Sequence, residues 1–238
     1  MGNICRRPNN VVEITVLKNY SELSSTIADI VEKTIQDDLY DLEKRELTKF
    51  ILPTGSTPLG LYEELVKRKL DWGMVTTFNL DEYIINPNHE QSYHTFMRKN
   101  LFDRIDIYPG MCNFPDRNTQ AYEDKINKID LCVLGIGTNG HIAFNEPGSS
   151  FNSETRVVDL DEQTIEDNSR FFDSVDDVPK QAITMGLKTI MKSKKIVLMA
   201  NGVHKYKILN VAMNGGITEK VPASILQKHK NVEVYYCD

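Results

Sequence analysis

Short apolar runs that stop at a turn rich in Gly, Pro or hydroxyls, then give way to an amphipathic stretch, recur along this chain. That alternation limits its fold more than any other feature. Residues 48–52, 75–79, 130–134 and 195–200 are such runs. Each is strand-length and apolar on both faces, as strands of a covered sheet are. Residues 11–17, 155–160 and 232–236 also read as strands. Residues 20–39 repeat Leu23, Ile27, Ile30, Val31 and Ile35 at helical spacing, with Ser21 as the expected cap. Helices are expected over 59–70, 93–101, 119–127, 181–191 and 203–211, and a short one over 221–226. Strands alternating with helices imply right-handed crossovers, hence an α/β fold with a mostly parallel sheet. No repeat, low-complexity tract or linker divides the chain, so one domain over residues 1–238 is expected.

Composition excludes several functions. The net charge of -6 argues against a nucleic-acid partner, which favours a basic face. It leaves room for an anionic small ligand, because a few cations and helix termini suffice to hold one. Cys5, Cys112, Cys132 and Cys237 show no paired spacing, so neither a disulfide framework nor a zinc site is expected. A reducing, cytoplasmic setting is the simple expectation. No run approaches membrane-spanning length, and no apolar leader opens the chain, so neither a membrane partner nor secretion is expected.

Ligands of such sheets bind beyond the carboxyl ends of the strands, and three loops lie there. Gly55-Ser-Thr-Pro-Leu-Gly60 offers backbone N–H groups and the Ser56 and Thr57 hydroxyls to an anion. Leu61 stands where a triphosphate loop would carry Lys, so a nucleoside triphosphate is not expected. The alternative is an ordinary helix start. Asp81 and Glu82 are adjacent carboxylates that can face opposite ways, so only one need enter a cleft as a base; the alternative for the pair is an N-cap or a solvated turn. Gly135, Gly137 and Gly140 match a dinucleotide-binding turn, but Pro147-Gly148 leaves little room for the helix that turn must open. A nicotinamide cofactor is therefore not expected. The same turn carries Asn139, His141 and Glu146, and a carboxylate beside an imidazole fixes its tautomer. Arg170 and Lys205 are cations that could neutralise a phosphate, or pair on the surface. Residues 151–177 are polar and acidic, either a lid or a static excursion.

Together these segments resemble the glucosamine-6-phosphate deaminase family. The likeness rests on Leu52-Pro-Thr-Gly-Ser-Thr-Pro-Leu-Gly60, Phe78-Asn-Leu-Asp-Glu-Tyr83 and Gln91-Ser-Tyr-His-Thr-Phe-Met97. It rests further on Gly140-His-Ile-Ala-Phe-Asn-Glu-Pro-Gly148 and Asn168-Ser-Arg-Phe-Phe-Asp173. It implies a Rossmann-like three-layer α/β/α sandwich and an enzyme that turns glucosamine 6-phosphate and water into fructose 6-phosphate and ammonia. It implies no cofactor and no metal. Asp81 would move a proton from carbon 2 to carbon 1, and His141 would assist ring opening with Glu146 orienting it. Asn139 would complete the catalytic set with them, Gly137 would line the substrate, and Gly55, Ser56, Thr57, Arg170 and Lys205 would hold its phosphate.

Two departures qualify the likeness. Asn139 stands where many members carry Asp and cannot ionise, so His141 would lean more on Glu146. Val158 stands where hexameric, allosterically activated members carry a basic residue. A monomer is therefore expected, with a homo-oligomer as the alternative. Two further readings stay open. One is a sugar-phosphate hydrolase resembling 6-phosphogluconolactonase, in which Asp81 would lack an obvious task. The other is a non-catalytic sugar-phosphate sensor, which would need a DNA-binding module that the few residues before Val11 cannot supply.

Overall fold

Alternation along each strand sorts the apolar side chains to two sides of one sheet, and helices cover both. The computed structural model describes residues 12–40, 46–169 and 172–238. Its elements begin with β1 (Ile14–Val16), α1 (Tyr20–Tyr40), β2 (Thr48–Leu52), α2 (Leu59–Arg68), β3 (Val75–Asn79), β4 (Asp81–Tyr83) and α3 (Tyr93–Asn100). They continue with β5 (Cys112–Asn113), α4 (Thr119–Lys125), β6 (Leu131–Leu134), β7 (Arg156–Asp159) and α5 (Glu162–Ser169). Last come β8 (Gln181–Thr184), α6 (Leu187–Ile190), β9 (Lys195–Asn201), α7 (Val203–Asn214) and β10 (Val232–Cys237).

Seven strands form one sheet in the order β1-β10-β9-β6-β2-β3-β5, and every neighbouring pair in it is parallel. Phe50, Leu52, Leu131, Val133, Val197 and Met199 pack with Leu23 and Ile27 of α1, Leu61 and Leu65 of α2, and Met97 of α3. Their neighbours Ile51, Cys132, Leu134, Ile196 and Leu198 pack instead with Tyr122 of α4 and with Leu209 and Met213 of α7. This is the expected three-layer α/β/α sandwich. Side chains two apart share a face, so each strand serves both cores.

The structure corrects two local expectations. The cap of α1 is Asn19, not Ser21: its side chain accepts from Glu22 N at 2.9 Å, while Glu22 accepts from Lys18 N at 2.6 Å. This reciprocal bonding satisfies donors that a helix start leaves open. The larger correction concerns 181–191, where a helix was expected. Gln181–Thr184 is strand β8, and only Leu187–Ile190 is helical. β8 lies between β4 and β7 in a second, antiparallel sheet, with Ile183 opposite both Glu82 and Val157. Partners on both edges override a weak helical pattern. Gly186 then caps α6, at a point where a Cβ would meet the Ser153 carbonyl at 2.2 Å.

The sheets meet at Leu80. Its N–H donates to Leu52 O at 3.2 Å, extending the parallel ladder, and its carbonyl accepts from Met185 N at 2.7 Å in the second sheet. Asp81 follows directly, held between the two. Chain order reverses between β2 and β6, which are adjacent in the sheet. Loops leaving the carboxyl ends on either side of such a switch point diverge and open a crevice.

Candidate active site

A cleft of about 470 Å³ occupies that crevice. Its walls come from the ends of four parallel strands: Thr54, Gly55, Ser56 and Thr57 after β2, Asp81 after β3, Gly137 and His141 after β6, and Asn201, His204 and Lys205 at β9.

The loop after β2 is shaped for an anion. Gly55 has φ +93°, a conformation that suits glycine. None of the Gly55, Ser56 and Thr57 amides meets an acceptor among the described residues. The first turn of α2 is closed in another way: the Tyr20 hydroxyl accepts from Gly60 N at 2.7 Å and donates to Thr57 O at 2.8 Å. The helix start is thus satisfied within the chain, and the loop amides are not. The Thr57 hydroxyl donates to Asn201 Oδ1 at 3.0 Å, fastening the loop to the end of β9. Lys205 donates to Ile136 O at 2.8 Å, which fixes its ammonium in the cleft wall beside the loop after β6.

The adjacent carboxylates face opposite ways. Asp81 lines the cleft and is 6% exposed. Burial, with the charge of Glu82 adding, pushes its carboxyl up to about 8. Glu82 points away: Oε1 accepts from Tyr83 N and Tyr93 N at 2.9 and 2.8 Å, and Oε2 from His94 N at 2.8 Å. It caps the N-terminus of α3, so its task is structural. Tyr93, on the first turn of α3, is thereby set in the cleft wall against Phe144, with ring centroids 6.0 Å apart.

The loop after β6 contains no helix over residues 135–148, so its glycines do not open a dinucleotide site. Gly137 N donates to His141 O at 2.9 Å, and a Cβ at Gly137 would strike the His141 ring at 2.3 Å. The glycine lets the imidazole fold back over its own turn. Nδ1 of that ring lies 3.2 Å from Glu146 Oε1, an ion-pair approach without the alignment of a hydrogen bond. Nε2 is left as the ring nitrogen available to the cleft. Glu146 is itself pinned: Asn139 Nδ2 donates to Oε2 at 2.7 Å, and the Thr164 hydroxyl donates to Oε1 at 2.6 Å. Burial would raise its carboxyl, but His141, Thr164 and Asn139 outweigh that and hold it at about 2. Asn139 also accepts from His141 N at 3.1 Å. Its amide supplies a proton where an ionised Asp would set a second negative charge against Glu146.

Asp81, His141, Gly137, Gly55, Ser56, Thr57 and Lys205 line one cleft, and Asn139 and Glu146 support it from behind. Arg170 lies outside the described residues. Tyr93, Thr164, Asn201 and His204 also reach the cleft, and none of them was expected there from the sequence. The strand-end rule could have found Asn201 and His204; nothing local marks Thr164 within its acidic stretch. Among the described residues no group of three or more His, Cys, Asp or Glu converges as metal ligands. No helix there is long and apolar enough to cross a membrane.

Residues 18–235 match the model of the glucosamine-6-phosphate isomerase/6-phosphogluconolactonase family. The chain belongs to that family. Relatives within it include a glucosamine-6-phosphate deaminase of Lactobacillus johnsonii, 46% identical over 95% of this chain and 95% of its own. Another, from Thermoanaerobacter sp., carries the same name and is 43% identical over 94% of this chain and 91% of its own. Among solved structures, a monomeric glucosamine-6-phosphate deaminase superposes with a TM-score of 0.89 at 38% identity, covering 95% of this chain and 97% of its own. A 6-phosphogluconolactonase of Thermotoga maritima reaches 0.74 at 21% identity, covering 95% and 99%, a likeness of fold alone. The family's two named activities thus share this sandwich, and the chain's closer sequence likeness runs to deaminases.

Proposed function

We propose that this protein is a glucosamine-6-phosphate deaminase, converting glucosamine 6-phosphate and water to fructose 6-phosphate and ammonia. The observation that carries the reading is one cleft holding a buried carboxylate, Asp81, and a carboxylate-backed imidazole, His141, beside a phosphate-sized set of donors. Three loops at the ends of different strands supply these parts, which suits a substrate with its reacting carbons at one end and its anion at the other.

The sugar phosphate seats its anion on the Gly55, Ser56 and Thr57 amides and on Lys205, with Arg170 assigned to the same end by resemblance. Remote binding there positions the reacting carbons. His141, turned by Glu146 so that Nε2 meets the ring oxygen, passes the proton that opens the pyranose. In the open aldose, Asp81 takes the proton from carbon 2 as the substrate's own ammonium passes a proton to the carbonyl oxygen, leaving an enolamine, and Asp81 then returns its proton to carbon 1. The product is an iminium at carbon 2. Water adds to it and ammonia leaves, giving the ketose. A buried base suits this step, because burial raises its proton affinity and keeps the abstracted proton from exchanging with bulk water.

The lactonase reading shares the phosphate site but leaves Asp81 without a proton to take from carbon. Incubation of the protein with glucosamine 6-phosphate should release ammonia and fructose 6-phosphate in equal amounts, read by coupled assays. Hydrolysis of 6-phosphogluconolactone with no ammonia from the amino sugar would reverse the assignment. Lys205→Ala should raise KM by about 10 to 100-fold, the worth of one charge-assisted hydrogen bond, with kcat within a few-fold. An unchanged KM would remove Lys205 from the phosphate site.

Asn139→Asp tests the support behind His141. It replaces a donor to Glu146 by a like charge, so Glu146 should bind a proton at higher pH and kcat should fall in mildly acidic solution. Equal pH profiles for the two proteins would show that the amide donor is immaterial. The reading includes a monomer in the cytoplasm. For the monomer, Val158 in place of a basic residue and the monomeric solved relative give support, and light scattering at the mass of one chain would bear it out.

A further inference from the structure

Helix α5, Glu-Gln-Thr-Ile-Glu-Asp-Asn-Ser, is polar apart from Ile165, yet its Thr164 is only 6% exposed. A threonine inside a helix ordinarily turns its hydroxyl back to the carbonyl of the preceding turn. Here the hydroxyl donates to Glu146 Oε1 at 2.6 Å, on a segment separate from the helix. That is the same carboxylate oxygen that His141 Nδ1 approaches to 3.2 Å. The other oxygen, Oε2, is taken by Asn139 at 2.7 Å. Glu146 therefore divides Oε1 between a hydroxyl and an imidazole carried by different elements.

We propose that Thr164 is a positioning residue for the acid–base chemistry: by donating to Glu146 Oε1 it limits how strongly that carboxylate holds the proton-bearing form of His141. This role rests on the deaminase reading only in giving His141 a proton to move. A hydroxyl donor spreads the carboxylate's charge and fixes the rotamer in which Oε1 meets the ring obliquely. Without it, Oε1 would answer to His141 alone, and the imidazolium would be held more tightly and give up its proton less readily.

Among the described residues, the titratable Tyr93 shares the cleft with His141 from α3, and the other charged or titratable groups beside the imidazole are these. Glu146 lies on its own loop, Asp81 reaches the cleft from β4, and His204 and Lys205 reach it from α7. Glu162 and Glu166 of α5 are exposed. Thr164 is the group that α5 itself sets into the cleft wall. The docking of this helix is thus read at the imidazole through a single hydrogen bond.

The test compares Thr164→Val, which keeps the shape and removes the hydroxyl, with Thr164→Ser, which keeps the hydroxyl and trims a methyl. The His141 ring is titrated by NMR in the unliganded protein, so this readout does not depend on turnover. In Thr164→Val the titration midpoint should move up by about half a pH unit or more, the scale of a lost hydrogen bond to a charged group. The pH profile of kcat/KM for glucosamine 6-phosphate should move the same way, and Thr164→Ser should restore both. An unmoved midpoint in a folded Thr164→Val protein overturns the proposal, as does an equal shift in both variants, which would assign the effect to packing. A shifted midpoint in a protein with no deaminase activity would leave this positioning role standing and the deaminase reading fallen.

Discussion

Asp81→Asn should abolish turnover and at the same time make the fold more resistant to heat. The loss of activity follows from chemistry: an amide cannot take a proton from carbon, and removing an essential base costs about 10⁴-fold or more. The gain in stability follows from linkage. Asp81 sits at about 8 in the fold against an ordinary 3.8, raised first by burial and then by Glu82. With a raised folded value, the favourable contribution is complete below 3.8 and is lost progressively as pH climbs through about 8. Asn has no such titration. The melting temperature of the variant should therefore exceed that of the parent by a margin that widens from mildly acidic solution to about pH 8. Above that the margin should hold level, at a size on the order of 5 °C. Calorimetry across that range checks it; a variant that melts lower throughout would make Asp81 a structural residue. The parent's kcat/KM should also rise as pH approaches about 8, because only the ionised carboxylate is a base.

His141→Asn should lower kcat by about 10² to 10⁴-fold while leaving KM for glucosamine 6-phosphate within a few-fold. The amide can still reach Glu146, but it has no nitrogen that shuttles a proton. Glu146 itself stays anchored by Asn139 at 2.7 Å and Thr164 at 2.6 Å, so the loop should keep its shape. Steady-state kinetics separates the outcomes. A rise in KM with kcat preserved would make His141 a binding group and take ring opening away from it.

Most of the parallel sheet was legible because its strands are apolar on both faces and each ends in a recognisable turn. Thr48–Leu52, Val75–Asn79 and Lys195–Asn201 are cases where local pattern and tertiary environment agree. Gln181–Thr184 was misread because its Ala182, Ile183 and Thr184 are buried by β4 and β7, strands distant in sequence. Nothing within residues 181–191 announces those partners. The phosphate loop could be proposed from Gly55 and its hydroxyl neighbours. That Tyr20 satisfies the adjacent helix start, and not the loop amides, depends on a contact across two helices.

The opposed roles of Asp81 and Glu82 separate what each level decides. The linear order alone places two carboxylates after β3, and strand geometry turns neighbouring side chains to opposite faces. The same order puts His141 and Glu146 on a loop with a helix-denying Pro147, and the motifs around them carried the family resemblance. Which carboxylate enters the cleft was decided only when Leu80 joined two sheets and α3 placed its N-terminal amides against Glu82. Burial is a property of the assembled layers. The raised Asp81, the depressed Glu146 and the hold of Thr164 on the imidazole's partner therefore had no counterpart in the linear chain.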